Sequence, residues 1–386
     1  MQPLKNQTPA ALPEWNLADL YESADSPALR ADFERAAREA SAFKTDYRGK
    51  LADLASDAQA SEKLGEAVAR YEALQDLLGR IMSFASLLHA GDVTDPARAK
   101  FFSDARDKIV DASTQLLFFQ LELNRIDDAV LDAAARKPPL AHWLPWLEDI
   151  RKEKPFELDD KIEELFHEKS VTGASSWNRL FDETIASLRF SVGGEELAIE
   201  PVLNLMQDSR ESVRREAAEA IGKTLKANLR VFALISNTLA KDKEISDRWR
   251  GFKDVADARH LSNRVEGETV AALVAAVEAA HPRLSHRYYK LKAKWFGKEA
   301  LNYWDRNAPL PMAPAKNFSW DEAREVVLAA YQGFTPRMAR IAGDFFDKRW
   351  IDAPVRPGKS PGAFSHPRFR RRILTCCSTF RASRAT

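Results

Sequence analysis

Residues 1–365 contain no cysteine; the only two in the chain are the adjacent pair Cys376 and Cys377. This excludes a disulfide framework and a cysteine-based metal site over nearly the whole length, and it suits a reducing compartment. Long apolar runs are missing as well. A membrane-crossing helix needs about 20 consecutive apolar residues, whereas "LLFF" at 116–119 is typical of the longest run here. The opening "MQPLKNQTPAALPEWNLADLYES" lacks the charged-then-apolar pattern of a secretory signal. A cytoplasmic protein is expected.

A charge excess is absent overall, with 58 basic against 57 acidic residues. The balance is uneven along the chain. Residues 366–386 hold six arginines and no acid, so residues 1–365 carry a formal charge of −5. Nothing in that body points to a polyanion partner.

What is present is a 386-residue chain, 45% hydrophobic and 30% charged, long enough for two domains or one large one. Its dominant period is helical. Leu64, Val68, Tyr71, Leu74, Leu78, Ile81, Ala85 and Leu88 step by three and four, while Glu66, Arg70, Gln75 and Arg80 fall elsewhere. Asp95-Pro96 predicts an N-cap with proline in the first turn. Ser319 with Glu322, and Asp208 with Glu211, predict capping boxes. Strand signals are few. "LRFSVGGEELAIE" (188–200) alternates on both sides of Gly193-Gly194 and predicts a hairpin. The stretches 301–311 and 353–365 are proline-punctuated and expected to be extended. With a helical segment on either side of the hairpin, the chain divides into residues 1–190, 191–365 and the tail 366–386.

Several motifs invite a chemical reading. An HExxH zinc site needs two histidines four residues apart on one helix face, with a glutamate to act on the metal-bound water. "HEKSV" at 167–171 has Val171 where the second histidine belongs, so His167 and Glu168 read as part of a solvated helix face. His281 and His286 are five apart, about 140° around one continuous helix, and would not share a face. In "HRYYKLKAKWF" aromatics and bases interleave as in a nucleic-acid stripe, yet Tyr289 and Trp295 are expected to pack inward while Lys292 and Lys294 snorkel. "GKS" at 358–360 fails as a phosphate loop, because Ala353 replaces the first glycine and Pro354 and Pro357 remove N–H donors. The charge-dense segment 237–265 is a salt-bridged helix surface, or else a buried network or cleft wall, the first being the simpler expectation.

That segment also begins a resemblance. "LAKDKEISDRWRGF", "ARHLSNRVE", "HPRLSHRYYKLKAKWFG" and "YWDRNAPLP" resemble oligoendopeptidase F, of the thimet-oligopeptidase-like zinc metallopeptidases. So do "LPEWNLADLY" (12–21), "LGRIMSFASLLHAGDVTDP" (78–96), "LLFFQLELNRIDD" (116–128), "TGASSWNRLFDE" (172–183) and "FFDKRWIDAPVRPGKSPGAFSHP" (345–367). The likeness runs from about residue 12 to Pro367.

The resemblance implies a mostly α protein. A helical N-terminal lobe (1–190) would be followed by the first part of a helical zincin-type peptidase lobe (191–365). One short β-hairpin is expected near 188–200 and an edge strand near 360–365. It also implies zinc-dependent hydrolysis of short peptides in the intact family, with a cleft strand along which a peptide backbone pairs. Gly362, Ala363 and Phe364 are the substrate-contact residues this implies. The family's HExxH helix, its third ligand and its oxyanion-stabilising residues lie beyond the "PGAFSHP" stretch, and no position here matches them. No catalytic or metal-binding residue is therefore assigned, and no zinc is expected for this chain. Helices near 319–332 and 341–350 are expected to leave apolar faces (Val326, Val327, Ala330; Phe345, Phe346) without a partner.

At Pro367 the likeness stops and the text becomes "RFRRRILTCCSTFRASRAT". Out-of-frame translation is the expectation for this tail. The alternatives are a non-catalytic helical peptide-binding or scaffold module, and an arginine-rich nucleic-acid arm. The cysteine pair has only His366 nearby, which does not make a metal site. Reading the DNA beyond codon 367 in the other two frames is expected to show HExxH followed by a downstream glutamate. Two frames without it would overturn the frame-break reading.

Overall fold

Capped starts and apolar periods turn most of the chain into helix. The computed structural model describes residues 12–311, 318–360, 362–366 and 375–377. The first helices are α1 (Pro27–Tyr47), α2 (Leu51–Ala55), α3 (Ala60–Ala90), α4 (Pro96–Thr114), α5 (Leu117–Arg125), α6 (Asp128–Ala135), α7 (Leu144–Glu153), α8 (Asp160–Lys169) and α9 (Ala174–Ser187). The hairpin strands β1 (Phe190–Val192) and β2 (Glu195–Leu197) follow. Then come α10 (Ile199–Leu205), α11 (Glu211–Ala227), α12 (Leu229–Arg250), α13 (Asp257–Ser262), α14 (Gly267–Ala280), α15 (Ser285–Trp295), α16 (Trp320–Phe334) and α17 (Pro336–Asp347). Three short strands close the order: β3 (Ile351–Asp352), β4 (Phe364–His366) and β5 (Thr375–Cys377). The six arginines of 366–386 lie outside the described residues, as do Pro361 and Pro367.

The principal core is built on α3. Leu64, Val68, Leu74, Leu78 and Ile81 are buried along one side of it, against Leu29 and Phe43 of α1 and Phe118, Phe119 and Leu123 of α5. Each such side chain contributes about 1.5–3 kcal/mol on burial. A second, smaller core gathers Phe190 and Val192 of β1, Val202 of α10, and Ala217 and Ala220 of α11. The hairpin pairs Phe190 with Leu197 and Val192 with Glu195.

Several caps form as expected. The Asp95 carboxylate accepts from the N–H groups of Ala97 and Arg98, and Ser319 and Glu322 make a reciprocal capping box. The box expected from Asp208 and Glu211 does not form. The Asp208 carboxylate instead accepts from the backbone and guanidinium of Arg210, leaving α11 without a side-chain cap.

Segment 237–265 carries ion pairs along the helix and a half-buried pair at its end. Along α12, Lys241 and Arg248 pair with Glu244 on the surface, and Lys243 pairs with half-buried Asp247. At its end Arg250 turns toward the N-terminal helices. Its guanidinium donates two bonds, of 2.6 and 2.7 Å, to the Glu163 carboxylate of α8 and a third to the Phe156 carbonyl. Phe252 stacks on Phe156 at 4.1 Å beside this pair.

The "YWDRNAPLP" stretch is pinned by cations. Arg214, fully buried on α11, donates to Asp305 at 2.7 Å and to the Trp304, Asp208 and Ser209 carbonyls. Lys298 bridges Glu211 and Asp305. Lys292 donates to the Arg306 and Ala308 carbonyls, both at 2.8 Å. This reverses the expected packing of α15: Lys292 is buried, whereas Tyr289 and Trp295 are exposed. A lysine turned inward finds two carbonyls waiting, and the aromatics three positions to either side of it stay exposed. The apolar faces of α16 are open at Val326, Val327 and Ala330. Phe345 and Phe346, expected to be open too, are half-buried, packing on Trp350 and Trp320 at 5.6 Å each.

Burial alone would raise the Glu163 carboxyl, but hydrogen bonds from Arg250 and the Leu158 N–H outweigh it and hold the group below its ordinary value. A depressed folded-state pKa gives stability that is present above the unfolded value and is lost as pH falls through the folded one. Glu163→Gln is therefore expected to cost about 2–3 kcal/mol at pH 7, toward the low end for breaking a buried pair because Arg250 keeps some solvent contact. Urea unfolding at pH 7 and pH 3 checks this: the gap between variant and parent should narrow at pH 3.

Candidate functional site

The residues implicated in peptide contact follow "WIDAPVRPGKSP" (350–361), where proline and glycine prevent regular structure. The stretch is fixed by polar contacts to the N-terminal helices. Trp350 is buried and its Nε1 donates to Asp19 at 2.9 Å. The Asn16 N–H donates to the Arg349 carbonyl at 2.6 Å, and the Ala353 N–H to the Pro13 carbonyl at 3.0 Å.

Between these ties sits Asp352, fully buried. Arg356 grips its carboxylate with two bonds of 2.9 and 2.8 Å and also donates to the Gly91 carbonyl. Lys359, also buried, lies 3.4 Å from the same carboxylate and donates to the Asp352 and Pro354 carbonyls. The lysine of "GKS" is thus a structural cation facing inward. Gly358 has a φ of +79°, and a Cβ there would come within 2.1 Å of Asp92 Oδ1 and 2.5 Å of Thr94 Oγ1. Its carbonyl accepts from the Val93 N–H, and the Ser360 N–H donates to the Ala90 carbonyl.

This loop delivers the chain to a three-stranded sheet in the order β3-β5-β4. The β5 backbone runs parallel to β3 and antiparallel to β4, with Phe364 opposite Cys377 and His366 opposite Thr375. β4 is an edge strand, lying where an edge was expected near 360–365. The three implicated residues are contiguous but differ. Gly362 has a φ of +87°, and its N–H already donates to Glu200 Oε1 at 2.7 Å. Ala363 is exposed. Phe364 turns inward, edge-on to Trp15 at 6.4 Å.

The histidines do not assemble a metal centre. His167 Nε2 sits 2.7 Å from Ser113 Oγ on α4. His281 and His286 are nearer than one continuous helix would allow, with ring centroids 5.9 Å apart, because α14 ends at Ala280 and a new helix starts at Ser285. Among the described residues no three His, Cys, Asp or Glu side chains converge as a metal would require. These residues do not fit a zinc ion. No helix among them is long and apolar enough to cross a membrane.

Residues 122–190 match the sequence model of the family described as Oligopeptidase F. Over 367 residues the chain is 25% identical to Oligopeptidase PepF of Bacillus subtilis (strain 168), covering 91% of this chain and 52% of that protein. The chain resembles the oligoendopeptidase F peptidases. It is also 27% identical over 304 residues to Group B oligopeptidase PepB of Streptococcus agalactiae serotype III (strain NEM316), covering 75% of this chain and 49% of that one. The chain thus spans about half the length of these relatives. The fold is similar to the crystal structure of oligoendopeptidase-F from Enterococcus faecium, with a TM-score of 0.67 at 19% identity over 85% of this chain and 61% of that one. PZ peptidase A with an inhibitor gives 0.69 at 16% identity over 92% and 59%.

Sequence reasoning dismissed "GKS" as a phosphate loop but missed what holds it. The signal was the spacing of Asp352 and Arg356, four apart in a proline-rich stretch, with Lys359 three further on. Asp352→Asn is expected to cost about 3–5 kcal/mol, since it removes the buried carboxylate that Arg356 and Lys359 share and leaves Lys359 buried without it. Native-state hydrogen exchange should then speed up at the Val93, Ala353 and Ser360 amides. Unchanged protection there would show that the loop does not depend on the carboxylate.

Proposed function

We propose that this chain forms the helical lobe and the peptide-pairing strand of a zinc oligopeptidase, and that these 386 residues alone bind short peptides without hydrolysing them. The observation behind this reading is the alignment to Oligopeptidase PepF over 91% of the chain, in a sequence that contains no HExxH. In the family as the resemblance implies it, zinc supplies polarisation of the scissile carbonyl and activation of water. This chain's own part is to bind and orient. The outer edge of β4 is unpaired among the described residues, and main-chain pairing there would be indifferent to peptide sequence. Because Glu200 occupies the Gly362 amide, pairing would run along Ala363 and β4 rather than through Gly362.

A second reading is a non-catalytic peptide-binding or scaffold module in its own right. It is favoured by the absence of a convergent ligand group among the described residues. On either reading the partners are short peptides, with neither nucleic acid nor membrane involved, and the compartment is the cytoplasm.

Metal analysis of the purified chain, with a fluorogenic peptide assay and calorimetric titration of short peptides, tests the proposal. Expected are no stoichiometric zinc, no turnover, and measurable peptide binding. Chelator-sensitive hydrolysis would overturn the non-hydrolytic part; absence of any peptide binding would overturn the strand part.

A further inference from the structure

Inward packing of its rings is what argues against "HRYYKLKAKWF" as a stripe of bases and aromatics, and the fold leaves those rings outside: Tyr289 is 39% exposed. Four residues of α15 at helical spacing, His286, Tyr289, Lys290 and Ala293, form one side of an open hollow of about 650 Å³. The other side comes from the segment that follows the helix, with Glu299, the 64%-exposed ring of Tyr303, and Arg306. The volume is that of a small-molecule site.

The two sides are tied to each other in the interior. Buried Lys292 of α15 donates to the Arg306 and Ala308 carbonyls, and Asp305 accepts from Arg214, Lys298 and the Asn302 N–H. A surface turn is thereby fixed in place, so its side chains meet a ligand with little further ordering cost. Each lining ring is also braced by one outside the hollow. Tyr289 meets Tyr288 at 5.4 Å, Tyr303 meets Trp304 at 4.8 Å and His286 meets His281 at 5.9 Å between centroids. The charges favour an anion. Lys290 and Arg306 are exposed and neither makes an ion pair among the described residues, against the single carboxylate of Glu299. An arginine beside a lysine suits a phosphate, and an exposed tyrosine face suits a flat base, by stacking that does not depend on which base it is.

We propose that this hollow binds a nucleoside monophosphate, its base on the Tyr289 and Tyr303 rings and its phosphate on Lys290 and Arg306. A single nucleotide, rather than a strand, follows from where the lining stops. Lys294 and Trp295, the next base and ring of the stripe, lie outside it, so no track continues from the hollow along α15. The site involves no residue of β4 or its loop and stands independently of the strand reading.

The test uses the full 386-residue chain, with AMP, adenosine, ribose 5-phosphate and a single-stranded oligoadenylate as probes, read by calorimetry at one salt concentration. AMP should bind about 10-fold tighter than either adenosine or ribose 5-phosphate, the scale of one charge-assisted bond or one stacked base. Tyr303→Ala should weaken AMP about 10-fold and leave ribose 5-phosphate unchanged. Arg306→Gln should weaken AMP and ribose 5-phosphate by about the same factor and leave adenosine unchanged. Both side chains are exposed, and unaltered urea midpoints check that the variants keep the fold. AMP binding no tighter than adenosine, or unaffected by both substitutions, overturns the proposal. Oligoadenylate bound in the absence of any AMP binding overturns it too, in favour of a strand-binding surface.

Discussion

Asp352 lies out of solvent between Arg356 and Lys359, and the position of β3, β4 and the intervening loop follows from that arrangement. A lone buried carboxylate costs several kcal/mol, and two cations offset this only when their remaining donors are satisfied. Both conditions are met here by main-chain carbonyls. Arg356 reaches Gly91, and Lys359 reaches the Asp352 and Pro354 carbonyls. The clasp therefore ties the loop to the α3–α4 connection as well as to itself, and Gly358 is pressed so close to Asp92 that no side chain fits there.

A comparable device recurs around Asp305. Arg214, Lys298 and Lys292 converge on residues 304–308 and hold a stretch that is irregular apart from the single 3-10 turn Tyr303–Asp305. The two charge clusters explain why a largely helical protein can carry two long irregular segments. Each segment replaces a regular hydrogen-bond ladder with inward-facing cations.

Much of this was readable from residues. Ser319 with Glu322, Asp95-Pro96 and the Gly193-Gly194 turn each specify local geometry through contacts within a few positions, and each forms. What was not readable depends on partners distant in sequence. Asp208 has the right spacing for a cap, but Arg210 competes for its oxygens. Tyr289 and Lys292, three apart, share one side of α15, and only the packed structure tells which of them meets carbonyls. At the candidate strand the edge position was legible from the resemblance. The Glu200 bond to Gly362 links residues 162 apart, and the stacking of His89 on Phe102 joins α3 to α4. Neither leaves a mark in the local sequence.

The Trp350–Asp19 hydrogen bond joins positions 331 residues apart, and Pro13 and Asn16 meet residues 349–353 beside it. Closing so wide a loop is entropically costly until the helices between have already folded and brought its ends near. The sheet holding β4 thus comes late in assembly and loosens early. An incompletely folded molecule therefore has its helices before it has this sheet.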